Sequence, residues 1–215
     1  TSNVSGTYTY SQTNIPAGWN HAVVQWNSSD VKWDIYINAV KHTTYTVGTQ
    51  AQRKFKLKFG NRSTAYFTGK LDQIRIFNKA LSSTEVSTLY AETACVYTST
   101  TDNNDYPVTN TAYYKLDNNA EDAKGSYDGT ESNITYDFGR FGQAAVFNGS
   151  SSYITANKSM FGTGDGVANL WSISLWFKTD GSVTASRTLV GTKGNSIQSG
   201  FFLYMISGGQ IRYYE

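Results

Sequence analysis

The side chains that could do chemistry are few and scattered. Two histidines, His21 and His42, and a single cysteine, Cys95, are too far apart in the sequence to suggest a metal-ligand cluster, and one cysteine forbids an internal disulfide. Cys95 reads as a linker residue without a role, the alternative being an intermolecular disulfide. The run Gly149-Ser150-Ser151-Ser152 lacks the Gly-x-Ser-x-Gly elbow that presents a nucleophilic serine, and neither histidine has an obvious acidic orienter. Two other resources remain. The loop Leu116-Asp117-Asn118-Asn119-Ala120-Glu121-Asp122-Ala123-Lys124-Gly125 collects oxygen ligands of the kind calcium takes in sixes to eights. Its spacing does not match the EF-hand pattern, and its composition equally describes a polar surface loop whose Asn and Asp side chains stabilise turns. The second resource is aromatic: 16 Tyr, 11 Phe and 5 Trp. The apolar face of a sugar stacks on such rings while Asn, Asp and Ser bond its hydroxyls.

The elements that would position these groups are strands. Charged residues make up 16% of the 215 residues, hydrophobic residues 39% and aromatics 15%, with a net charge of +2. That balance excludes intrinsic disorder and helical coiled coils, and it offers no electrostatic field for nucleic acid. Arg53, Lys54, Lys56 and Lys58 read as one solvated strand face. No apolar run approaches the roughly 20 residues of a membrane helix, and the N-terminal stretch has no targeting character, so the chain is expected to be soluble. Strand signals fall at residues 7–10, 21–26, 32–38, 55–59, 67–77, 111–116, 142–147, 153–155, 170–178, 188–191, 201–206 and 211–215. Ser82-Ser83-Thr84-Glu85 is a capping box that predicts one short helix over 82–91. Residues 92–110, polar and with Pro107, have linker character.

Alternation sorts the aromatics by face. Trp33, Ile35 and Ile37 share one face of their strand and Tyr36 the other; Trp171, Ile173, Leu175 and Phe177 share one face of theirs, and Trp176 lies opposite. Trp33, Phe147, Trp171, Phe177, Phe201 and Phe77 are therefore expected in the core. Trp176, Tyr204 and Tyr36 are the candidate carbohydrate-stacking residues, with a loop edge around Tyr127 and Tyr153 as a second place for a sugar. The bland reading of any one of these rings is that it merely covers the sheet.

Two stretches carry a family resemblance. Residues 112–154, AYYKLDNNAEDAKGSYDGTESNITYDFGRFGQAAVFNGSSSYI, resemble the opening of a laminin-G-like domain of the concanavalin A-like jelly-roll superfamily. Residues 69–90, GKLDQIRIFNKALSSTEVSTLY, resemble the closing of one. Residues 18–26 are similar to the family's middle and 172–178 to its early core strand. The order is permuted: residues 1–91 read as the closing half, 92–110 as a linker and 111–215 as the opening half. Joining residue 215 to residue 1 gives an unbroken family middle. Either the chain is a circularly permuted single domain, or it is a window cut from tandem repeats, in which strands of neighbouring chains complete the sandwich and self-association follows.

The resemblance implies an all-β, two-sheet antiparallel jelly-roll sandwich. It also brings in glycoside hydrolases, which need two carboxylates flanking the bond. No strand here places acidic residues at alternating positions on one face, so no catalytic residue is expected. Many such jelly rolls hold a structural calcium; by position this implies Asp122 and Asp72, with carbonyls around Asn148 and Gly149. The expected function is non-enzymatic carbohydrate binding or adhesion on an extracellular or virion surface, with a glycan or cell-surface polysaccharide as partner and neither nucleic-acid binding nor membrane insertion. The alternative is a purely structural repeat of a phage fibre, capsid decoration or extracellular filament, because modules with similar YYKLD and FNGSSSYI segments are frequent in structural proteins of marine phages.

Overall fold

The computed structural model describes residues 7–9, 15–27, 32–46, 56–93, 110–158, 160, 170–181, 183–192 and 201–214. Cys95 and nearly all of the 92–110 stretch lie outside the described residues. In chain order the strands of the first half are β1 (Thr7–Thr9), β2 (Asn20–Asn27), β3 (Lys32–Ile37), β4 (Val40–Thr46), β5 (Leu57–Phe59), β6 (Asn61–Arg62), β7 (Ala65–Tyr66) and β8 (Thr68–Phe77). Helix α1 (Ser83–Ala91) follows. After it come β9 (Ala112–Tyr114), β10 (Gly129–Ser132), β11 (Thr135–Phe138), β12 (Gln143–Asn148) and β13 (Tyr153–Ala156). The last four are β14 (Leu170–Thr179), β15 (Arg187–Thr192), β16 (Phe202–Ile206) and β17 (Gln210–Tyr214).

Two antiparallel sheets form the sandwich. The seven-stranded sheet runs β1-β17-β16-β15-β5-β13-β10, and the eight-stranded sheet runs β11-β12-β8-β14-β2-β3-β4 with β9 beside β8. Strands from before and after the 92–110 stretch are interleaved in both sheets. The strand nearest the start even pairs with the strand nearest the end, Thr7 opposite Tyr214. The all-β, two-sheet antiparallel sandwich with one short helix is thus the architecture that the resemblance and the capping box led one to expect.

Alternation drives the packing. The inner faces bury Ala22, Val24, Trp33, Ile35, Phe59, Ile74, Phe147, Ile173, Phe177 and Leu203 among others, and Trp33, Trp171, Phe201 and Tyr213 pack ring to ring between 4.2 and 6.0 Å. Phe77, expected with them, faces the other way. It joins Val23, Tyr36, Leu81, Val86 and Leu89 in a second cluster, where α1 covers the outer face of the eight-stranded sheet. Ser82 caps the helix as its sequence predicts: Glu85 N donates to Ser82 Oγ at 3.2 Å and Ser82 N donates to Glu85 Oε2 at 2.8 Å. The turn into α1 is fastened to the sheet, since Leu81 N donates to Gln25 Oε1 at 2.9 Å and Ser172 Oγ donates to the Lys79 carbonyl at 2.7 Å.

Candidate functional site

Trp176 and Tyr36 do leave the sandwich core, but both are nearly buried. Trp176 is 3% exposed and Tyr36 is 5% exposed. The Tyr90 ring of α1 lies 5.8 Å from Trp176 in a stacked arrangement, Phe141 stands edge-on at 6.2 Å, His21 at 5.1 Å, and the Arg140 guanidinium sits 4.8 Å over the ring. Tyr36 is held in the cluster beneath α1. The expectation of two open sugar platforms is therefore corrected. An outward ring on a sheet covered by a helix is a packing residue, and the strand alternation could not show which sheet the helix covers. Burial has electrostatic consequences here. His21, donor or acceptor to Ser174 Oγ at 2.7 Å through Nε2, has its pKa driven down to about 3 by desolvation first and by the charge of Arg75 second.

The four residues expected to hold calcium are not brought together. Asp122 Oδ1 accepts the N–H groups of Tyr113 and Lys124 at 2.8 and 3.0 Å, and Oδ2 accepts those of Ser126 and Tyr127 at 3.1 Å each. All four acceptor positions of the carboxylate are thus spent on organising its own loop. Asp122 also bridges Tyr114, whose strand β9 lies between it and β8, the strand of Asp72. Asn148 is opposite Thr68 in the ladder, four residues along β8 from Asp72, which is about 13 Å at strand rise. Ligands of one calcium lie at about 2.3–2.6 Å from the ion, so that set does not fit one. The Asn148 side-chain oxygen instead accepts the N–H groups of Ser150, Ser151 and Ser152, and Gly149, at φ +77°, completes that turn.

Asp72 behaves differently. It is fully buried; Oδ2 accepts the N–H groups of Arg140 and Phe141 at 2.7 and 3.0 Å, while Oδ1 has no hydrogen-bond partner. Desolvation pushes its pKa up to about 7; the two N–H groups oppose that and the charge of Asp117 adds to it. Asp117 grips the same turn from its other side, Oδ1 accepting Gln143 N at 2.7 Å. A Cβ on Gly139 would stand 2.7 Å from Asp72 Oδ2, and glycine there permits the close approach. Asp72 and Asp117 thus grip one turn from two sides, and among the described residues no group of three or more His, Cys, Asp or Glu side chains is placed to hold a metal ion.

Among the described residues no helix lies over the outer face of the seven-stranded sheet, and Tyr204 is on that face. Register places Thr188, Tyr204 and Arg212 side by side on β15, β16 and β17. Tyr204 and Arg212 are half-buried, and Thr188 is 1% exposed. Thr188 Oγ1 and Arg212 Nε are covered and have no hydrogen-bond partner. Further along the same face, Lys58 Nζ stands 3.8 Å over the Tyr153 ring and 2.5 Å from Asn61 Oδ1. The Arg62 guanidinium lies 4.1 Å over the Phe202 ring. Phe202 lies close over Gly191, where a Cβ would meet its ring at 2.2 Å. Of the three expected platforms, Tyr204 alone is half-buried rather than buried. Its neighbours Thr188 and Arg212 escaped sequence reading because only cross-strand register makes them adjacent. Lys58 was visible as a strand-face cation; its ring partner Tyr153 was noted only as a loop-edge residue.

Residues 1–87 match a laminin G family model of the concanavalin A-like lectin/glucanases superfamily. No curated protein and no solved structure matches the chain. No helix among the described residues is long and apolar enough to cross a membrane.

Proposed function

With residues 1–87 laminin-G-like and in the concanavalin A-like superfamily, and with strands of both halves built into one sandwich, we propose that this protein is a non-enzymatic carbohydrate-binding or adhesion module. It works outside a cell and holds a glycan on the outer face of the seven-stranded sheet. The observation that carries this is Tyr204, a half-buried ring on the outer face, with the half-buried Arg212 opposite it on the adjacent strand. A ring with hydrogen-bonding groups at its edges is what a sugar needs, since its apolar face stacks and its hydroxyls bond. The outward positions of this sheet, alternating with the buried ones, contain no Asp or Glu among the described residues. Such a face supplies no carboxylate pair for acid–base cleavage of a glycosidic bond.

Glycan-array binding by the wild type, lost in Tyr204→Ala while the variant keeps its melting temperature, is the expected result. An array on which the two proteins give the same profile rejects the site. The absence of any glycan binding, together with head-to-tail assembly in solution, favours the purely structural module instead.

Calcium belongs to the proposal in altered form: Asp72 and Asp117 would hold it, and it would fix the turn at residues 139–143 that both carboxylates grip. Hard oxygen donors in a loop suit this ion. Calcium should raise the melting temperature of the wild type and leave Asp72→Asn unchanged. A wild type indifferent to calcium, with no ion found by elemental analysis, removes the metal from the proposal.

A further inference from the structure

The two faces of the eight-stranded sheet differ in kind. Its inner positions are apolar: Ala22, Val24, Ile173 and Leu175 belong to the main core. The positions that alternate with them, beneath α1 and its flanks, are buried as well, yet they include His21, Gln25, Arg75, Ser172 and Ser174, none more than 3% exposed. A permanently buried surface is mostly apolar, whereas this mixture has the chemistry of a surface that meets water. The apolar hold of α1 on it is correspondingly small. Val86 and Leu89 of the helix, with Leu81 before it, rest on Val23, Tyr36 and Phe77, and this cluster is separate from the main core, which contains no residue of α1. The polar fastenings, Glu92 to Arg75 and Leu81 N to Gln25 Oε1, join groups that water also satisfies.

We infer that α1 is a detachable cover, which leaves the intact sandwich as pH falls below neutral and uncovers Trp176 and Tyr36. His21 is the group that senses the acid. Its ring lies 6.2 Å from the Tyr90 ring of α1 and 5.1 Å from that of Trp176, Nε2 is 2.7 Å from Ser174 Oγ, and the covered Nδ1 has no hydrogen-bond partner. The charge acting on it is that of Arg75 on β8, with Arg140 beyond the Trp176 ring. Asp72 stands on the far side of Trp176 in the ladder, and the β3–β4 turn presents the neutral Asn38. From the helix side come Tyr90 and two carboxylates that are already engaged, Glu85 by Lys79 and Glu92 by Arg75. An imidazolium at this place is shut off from solvent among cations. With α1 detached, His21 is solvated and takes its proton at its ordinary value of 6.5, whereas beneath α1 it stays neutral down to about 3. Within that window the proton binds the open form alone, so docking weakens by about tenfold for each pH unit of acidification.

Amide hydrogen exchange of the intact protein forms the test, at about pH 7.5 and about pH 5, a window above the ordinary glutamate range. Dividing by the intrinsic exchange rates gives an opening constant for each amide at each pH. Amides of residues 86–90 should open at least about tenfold more readily than those of residues 22–24 in β2 at both pH values, because α1 leaves while the sandwich stays closed. The opening of α1 should rise about 30-fold from the higher pH to the lower in the wild type, and less than about threefold in His21→Gln. Ser82→Ala, which removes the helix cap, should raise α1 opening by about fivefold at both pH values and keep the wild-type rise. Should His21→Gln fail to fold, His21→Leu, apolar and of similar size, carries the same comparison. Amides of α1 that exchange no faster than those of β2, a wild-type opening that does not change with pH, or a rise that persists in the His21 variant overturns the inference.

Discussion

Arg75 is 1% exposed at the side chain, yet it is paired as a buried guanidinium must be: Nη1 donates to Glu92 Oε2 at 2.7 Å, Nη2 to Glu92 Oε1 at 2.9 Å and to Tyr113 Oη at 3.1 Å. Glu92 stands just past the helix, at the first position of the stretch expected to be a linker. Its carboxylate therefore anchors the end of α1 to the sheet. Glu92→Gln removes one charge and leaves the other buried, and should cost about 3 kcal/mol in denaturant unfolding. His21 makes a second prediction. Its folded pKa of about 3 lies below the ordinary 6.5, so between those values the unfolded chain binds the proton and the folded one does not. The stability tied to neutral His21 is complete above pH 6.5 and is lost as pH falls toward 3, at a limiting slope of about 1.4 kcal/mol per pH unit. His21→Gln should flatten the stability profile across that window relative to the wild type. Residue identities alone foretold neither effect. His21 looked like a strand residue lacking an acidic orienter, and only its burial beneath Tyr90 and beside Trp176 defines its titration.

At the scale of elements, local chemistry was readable where one segment contained all its partners. The capping box is an example, because Ser82 and Glu85 satisfy each other; Ser82→Ala should cost about 1 kcal/mol, measured by thermal or denaturant unfolding. The inner strands were readable too, since core-facing apolar residues recur at every second position of β3 and β14 even though both faces of these strands are buried. The edge strands β10 and β11 were not, because their residues are half-buried or exposed and carry no apolar alternation. Nor could alternation say which outer face the helix would cover, and this is why Trp176 and Tyr36 resembled Tyr204 in the sequence. The fit of β15 to β16 depends on an absent side chain: Gly191→Ala would drive a Cβ into the Phe202 ring at 2.2 Å. Overpacking of that kind should cost about 1–3 kcal/mol, and displacement of Phe202 should also loosen Arg62 above it.

At the scale of the molecule, neither of the two large sheets belongs to one half alone. The eight-stranded sheet places β14 of the second half between β8 and β2 of the first, and the seven-stranded sheet places β5 between β15 and β13. Separated halves would expose the inner faces of those strands to water. The whole chain should therefore unfold in one calorimetric transition. Residues 1–91 and 111–215 produced separately should lack the dispersed spectra of folded domains, and two independent transitions would contradict this. The pairing of Thr7 with Tyr214 that completes the seven-stranded sheet is a long-range contact that no local pattern encodes. The same sheet carries the proposed site. Wild type, Tyr204→Ala and Trp176→Phe, probed in parallel on one glycan array, test that placement most directly. Binding that is lost in Tyr204→Ala and retained in Trp176→Phe is the predicted result; binding that survives Tyr204→Ala, or is absent from the wild type, contradicts it.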